Sequence, residues 1–209
     1  ISPRMATMLA FLTVAAPVPA TALQEIVAAA AAGSFNRISV DGQMSPSDTL
    51  LALAAGEGPA PAGADLDRLA DAIAAICRWL AVQMVRDGEG SDHAVRVLVR
   101  GARDPGEADA VARAVGDSPL VKTAIFGRDP NLGRVSQAVG QALAGRPGEA
   151  REPEVLVDGV PFADPGAAGV LARPELDLEI ALGRGEAEAE LWASDLSHAY
   201  VTLNAEYHT

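Results

Sequence analysis

The chain has 209 residues, 49% hydrophobic and 21% charged, a globular composition with enough length for one sizeable domain or two small ones. A formal net charge of −12, a single lysine (Lys122) and no basic cluster exclude a phosphate-binding surface, so neither nucleic acid nor an anionic membrane is an expected partner. One cysteine, Cys77, excludes an internal disulfide or a cysteine zinc site and fits a reducing compartment, so a cytoplasmic location is expected.

The apolar stretch near the start is broken by Pro17 and Pro19, which argues against a membrane span, and nothing there has the layout of a signal peptide. An opening at Ile1 rather than Met is what a fragment or processed product would show. Residues 8–15 form an apolar run of strand length. Thr21 with Gln24 three residues on predicts a capping box opening an alanine-rich helix to about residue 32, stopped at Gly33. A short strand is expected over 37–40, a polar turn over 41–47, a second apolar run over 50–54 and a Gly/Pro/Ala linker over 56–63.

From Asp65 to about Gly88, apolar residues from Leu66 to Met84 recur at helical spacing. Cys77 lies on that stripe and reads as a buried thiol. Residues 95–100 alternate as a half-buried strand. Asp104-Pro105 marks a helix start, cap then first position, and 131–143 is a further helix. Asp158-Gly159 is a hairpin turn. Residues 176–182 alternate, turn at 183–185 and alternate back over 187–191. The second half therefore reads as a small sheet packed by two helices. The division expected is 1–92, 93–194 and a tail, 195–209.

Several common sites are absent: a phosphate loop, a dinucleotide fingerprint and a nucleophile-elbow serine. The three histidines, His93, His198 and His208, are not at metal-ligand spacing, and no metal is expected.

The opening Met5-Ala6-Thr7-Met8-Leu9-Ala10-Phe11 resembles the self-cleavage segment of the ornithine acetyltransferase family, which is cut between Ala and Thr. Residues 34–49, 118–134 (with Phe126-Gly127-Arg128-Asp129-Pro130-Asn131) and 195–209 resemble the same family in the same order, so the likeness covers essentially the whole chain. It implies an α+β layered sheet-and-helix sandwich, of the type shared with self-processing aminopeptidases, with a small C-terminal sheet-and-helix domain. The activity implied is transfer of acetyl from N-acetylornithine to glutamate in arginine biosynthesis. No cofactor is implied, and acetyl-CoA as a second acetyl donor is left open.

The resemblance assigns Ala6 and Thr7 to the cut and Thr7 to the nucleophile. The chemistry is self-consistent. A threonine hydroxyl needs a base, and cutting before Thr7 frees an α-amine with an ordinary pKa of about 7.7–8.0 on the same residue. Glu89 matches a substrate-contacting glutamate, and Asn204 and Thr209 match tail residues that reach over the substrate; Asp195 is expected to cap a short tail helix through Ser197, with Tyr200 and Val201 anchoring it by burial. The family's oxyanion-hole donors and a substrate-contacting lysine lie upstream of Ile1, so a partner chain from the same precursor is implied, doubled into a heterotetramer.

The sequence departs from the family at the turn usually read Asp-Thr-Ser-Thr-Asn-Asp-Thr, here Gln43-Met44-Ser45-Pro46-Ser47-Asp48-Thr49. Ser91-Asp92-His93 stands where Ala-Thr-Lys is usual, and Leu132 replaces a tryptophan. Two rival readings are a self-processing aminopeptidase, which typically exposes serine rather than threonine at the cut, and a non-catalytic amino-acid-binding relative.

Overall fold

The computed structural model describes residues 8–149 and 151–206. The described chain forms two compact units. One takes in the chain up to Ile38 together with Gly42–Met84; the other takes in Ser39–Asp41 and the chain from Val85 onward.

The first unit begins with β1 (Leu9–Val14), crosses through α1 (Ala20–Ala32) and returns as β3 (Thr49–Ala54), parallel to β1 and in register from Leu9 opposite Thr49 to Val14 opposite Ala54. A short 3-10 turn, Phe35–Arg37, and β2 (Ile38–Ser39) lie between. The predicted capping box does not form. Pro19 holds the N-cap position with no side-chain hydrogen bond, and Thr21 is already inside the helix. Proline reaches the helix entry first because its fixed φ suits it. Gly33 closes the helix with its N–H on Ala29 O.

Alternation splits β1 into two faces. Met8, Ala10, Leu12 and Val14 are buried, while Leu9 and Phe11 are about 60% exposed, and Leu53 across the sheet is equally bare. After the 56–63 linker, α2 (Ala64–Arg86) has the predicted length. Its buried stripe is narrower than the sequence implied. Ile73, Cys77, Ala81 and Val85, each one turn apart, are buried, whereas Ile76 and Trp79 are exposed. Burial raises the Cys77 thiol pKa, which keeps it protonated and inert.

The second unit is built on a mixed six-stranded sheet of order β2-β8-β4-β7-β5-β6. Its members are β4 (Ala94–Ala102), β5 (Glu154–Val157), β6 (Val160–Pro161), β7 (Glu175–Ala181) and β8 (Ala187–Ser194). The two alternating segments joined by the Gly183–Gly185 turn are not a hairpin pair. β4 lies between them, parallel to β7 and antiparallel to β8. One face stacks Val95, Val97 and Val99 beside Leu176, Leu178 and Ile180 and beside Ala193, Leu191 and Ala189. The other face is a ladder of charge. Arg96 Nε donates to Asp177 Oδ1 at 2.8 Å, and its guanidinium lies 6.0 Å from the Trp192 ring centroid.

Helices α3 (Pro105–Gly116), α4 (Pro119–Phe126) and α5 (Leu132–Leu143) follow β4. Three helices rather than two precede β5, because α4 is too short to show helical periodicity. The caps of α3, α4 and α5 are made by Asp104, Ser118 and Asn131. Asp158 and Gly159 both have positive φ, as the hairpin turn of β5 and β6 requires. A short α6 (Ala167–Val170) precedes β7, and α7 (His198–Glu206) ends the described chain.

Candidate active site

Ala6, Thr7 and Thr209 lie outside the described residues. Their neighbours and the other predicted positions are described, each within its own unit.

In the first unit, Met8 N–H donates to Asp48 Oδ1 at 2.8 Å and Thr49 N–H donates to Met8 O at 2.8 Å. The residue that follows Thr7 is thus clamped from both sides. Asp48 Oδ2 accepts from Ser45 N–H at 3.1 Å, and Ser45 Oγ accepts from Ser47 N–H at 3.2 Å. Ser45, Asp48 and Thr49 are the positions of the 43–49 turn that keep the family's residues. Met44 and Pro46, which depart from it, are exposed. Sequence reading passed over Asp48; its retention beside altered neighbours was the available signal.

In the second unit, Glu89 and Gly90 follow α2 in a tight turn. Gly90 has φ +64°, and a Cβ there would lie 2.4 Å from Tyr200 N. Only glycine lets this turn rest against the backbone of α7. Ser197 Oγ donates to Gly90 O and accepts from Tyr200 N–H at 3.1 Å, so Ser197, not Asp195, caps α7. The Tyr200 hydroxyl donates to Asp41 Oδ2 at 3.2 Å; burial, with the Asp41 charge beside it, pushes the phenol up to about 12. Tyr200 is half-buried, but Val201 is exposed, and no side chain of the helix is buried. The helix is held by polar contacts rather than by the expected apolar anchor.

One turn further, Asn204 Nδ2 donates to Tyr200 O at 3.0 Å and to Glu89 Oε2 at 3.1 Å. The structure therefore brings Glu89 and Asn204, 115 residues apart in sequence, into direct contact. With Nδ2 spent on two acceptors, Asn204 presents its Oδ1 and Glu89 its second carboxylate oxygen, both exposed. Two acceptors and one negative charge suit a cationic amine.

Asp195 has a different role from the expected cap. Its Oδ1 accepts from Ser91 Oγ at 3.0 Å and Asp92 N–H at 3.1 Å, and its Oδ2 meets His93 Nδ1 at 2.5 Å. His93 Nε2 lies 3.0 Å from Leu171 O. Both ring nitrogens face oxygen atoms, an arrangement that favours the doubly protonated, cationic ring. The hydrogen bond to Asp195 raises the His93 pKa against the opposing effect of burial. His93 supplies a buried cation where the family usually has lysine, and with both nitrogens engaged it has no lone pair for base catalysis. Nearby, buried Lys122 donates to Ser194 O and to Ser194 Oγ at 3.2 Å, and burial pushes its pKa down to about 8. These bonds pin the start of the tail to α4. Among the described residues no group of three or more His, Cys, Asp or Glu could hold a metal ion.

The sequence profile of the ArgJ family matches residues 1–209. The chain belongs to the ArgJ family. It is 39% identical over 237 aligned residues to the arginine biosynthesis bifunctional protein ArgJ of Thermosynechococcus vestitus, covering all of this chain and 56% of that protein. It is 40% identical to the ArgJ of Chlorobaculum tepidum, again over the whole chain and 54% of the relative. The crystal structure of the Bacillus halodurans ArgJ superposes with a TM-score of 0.84 at 31% identity, covering 96% of this chain and all of that one. The chain thus has the ArgJ fold, an α+β layered arrangement, and spans about half the length of the curated relatives it matches. The first strand, β1, begins at Leu9. Among the described residues no helix is long and apolar enough to cross a membrane.

Proposed function

We propose that this chain is the threonine-bearing half of an acetyltransferase that moves acetyl from N-acetylornithine to glutamate through an acetyl ester on Thr7. The observation that carries the reading is the Ala6-Thr7-Met8 segment in a chain matched by the ArgJ family over its whole length. Cutting before Thr7 leaves nucleophile and base on one residue. Thr7 attacks the acetyl carbonyl, ornithine leaves as the amine, and the glutamate amine then takes the acetyl group and regenerates the hydroxyl. Glu89 and Asn204 receive the amino-acid substrate through their two acceptors, and Thr209 joins them from the tail. The relatives are named bifunctional, which supports acetyl-CoA as a second acetyl donor.

The remaining half of the precursor is the partner this reading requires. A two-stranded parallel sheet is marginal by itself, and parallel sheets are normally covered on both faces. The bare Leu9, Phe11 and Leu53 face supports a partner that extends and covers it. A heterotetramer of two upstream and two downstream chains in the cytoplasm completes the reading.

Full-length precursor should yield a new chain beginning at Thr7 by mass analysis and should transfer acetyl from N-acetylornithine to glutamate. Thr7→Ala should abolish both, and Thr7→Ser should keep part of each. Transfer at the wild-type rate by the alanine variant would remove Thr7 from the mechanism. Hydrolysis of a peptide amide without acetyl transfer would favour the aminopeptidase reading.

A further inference from the structure

The turn after α4 contains a residue that local energetics disfavours. Asp129 N–H donates to Ala124 O and Arg128 N–H donates to Ile125 O, the paired bonds of a Schellman helix end. The position between them must be left-handed and is usually glycine. Here it is Arg128, with φ +53°. A side chain in that conformation costs about 1 kcal/mol or more relative to glycine. Gly127, one residue earlier, has an ordinary helical φ of −76° and does not relieve it.

What the strained arginine gains is its location. Arg128 lines a cavity of about 400 Å³ together with Asp92, His93, Phe126 and Pro174. That volume is in the range of small-molecule sites. The Arg128 guanidinium, although exposed, makes no hydrogen bond or ion pair among the described residues. The Asp92 carboxylate likewise makes no hydrogen bond or ion pair among the described residues, its charge acting on His93 only at a distance, and its backbone N–H donates to Asp195. His93, the third charged group on the wall, has both nitrogens committed to Asp195 and Leu171. The cavity therefore offers one free planar cation, one free carboxylate and an apolar wall from Phe126 and Pro174.

A polyanion such as a nucleotide would meet Asp92 unfavourably, and a simple amine would leave Arg128 unsatisfied. A zwitterion satisfies both, with its carboxylate forked on the guanidinium and its ammonium on Asp92. We infer that the cavity between the Arg128 turn and Asp92 is a second amino-acid site, separate from Glu89 and Asn204, which takes a free α-amino acid by its charged ends with an apolar side chain against Phe126. Glu89 and Asn204 line no part of this cavity. The inference does not depend on acetyl transfer.

The test uses calorimetry on the full-length protein with L-norvaline, whose side chain carries no charge, beside pentanoate and butylamine, which each keep one charged end. Norvaline should bind, with both single-ended compounds about tenfold weaker or worse, and Arg128→Gly and Asp92→Asn should each weaken it by a similar factor. Arg128→Gly should at the same time raise the melting temperature, since glycine relieves the left-handed strain; this separates lost binding from lost folding. Norvaline affinity unchanged in Arg128→Gly overturns the site. Equal binding of pentanoate and norvaline overturns the zwitterion reading. Binding that survives Arg128→Gly but is lost in Glu89→Gln places norvaline at the other site and overturns the proposal, as does the absence of any norvaline binding.

Discussion

The two units solve the problem of covering a sheet in different ways. In the second, six strands carry one apolar face under α3, α4 and α5 and one face of paired charges, so little apolar surface is left bare. In the first, two parallel strands bury Ala10, Leu12 and Val14 on one side and leave Phe11 and Leu53 bare on the other. The same alternating pattern thus describes a finished core in one place and half of one in the other. An apolar run in a sequence states that a residue will be covered; it does not state by which chain.

The contrast can be broken most forcefully in the finished core. Leu178, 1% exposed at the centre of β7, should cost about 2–5 kcal/mol when changed to alanine, read as a fall in the urea midpoint. Next is the buried cation. His93→Gln keeps the ring's approximate size and removes the cation that faces Asp195, and should cost about 1.5–3 kcal/mol at pH 6. The sign with pH follows from a folded-state pKa raised above the ordinary 6.5. The wild-type advantage is complete below 6.5 and is lost as pH rises through the folded value. Lys122 acts oppositely, because a pKa lowered to about 8 adds stability from there toward 10.5. A melting-temperature series from pH 5 to about 8 should therefore slope downward in the wild type and be flatter in His93→Gln; parallel curves would remove His93 from the balance.

A smaller and local effect is expected at Gly90→Ala. Its Cβ would enter the space of the Tyr200 backbone, so α7 should detach while the sheet stays intact. Amide exchange should quicken over 198–206 with the melting temperature nearly unchanged, since the helix buries no side chain. The smallest effect on the chain itself is expected at Leu53→Ser. At 64% exposure, it should shift stability by no more than about 0.5 kcal/mol. Co-purification with the upstream half should nevertheless fall, and unaltered association would break the idea that this face awaits a partner.

Local chemistry was legible in the sequence where one neighbour decides the outcome. Asp104-Pro105 and Asp158-Gly159 each specify a cap or turn within four residues, and each forms as read. Where a distant group competes, the reading fails. Asp195 is a good cap in isolation, but His93, 102 residues earlier, takes its carboxylate, and Ser197 caps in its place. Segments 176–182 and 187–191 resemble a hairpin because they are consecutive, yet β4, whose Val95, Val97 and Val99 pair with the apolar positions of both, lies between them. The Glu89–Asn204 contact came from family resemblance alone; no spacing in the sequence carries it.

The position of β4 also sets an order of events during synthesis. Both of its neighbours, β7 and β8, follow every other strand in the order of synthesis among the described residues. At about 5–20 residues per second, β4 leaves the ribosome several seconds before either edge can be satisfied. Pairing across so long an interval is slow, because loop closure must precede any gain from the contacts. In that interval α3 follows β4 immediately and packs on it, so the early intermediate is a strand covered on one face with both edges open. The growing chain is most prone to pairing with a wrong strand while residues 94–102 wait for residues 187–194.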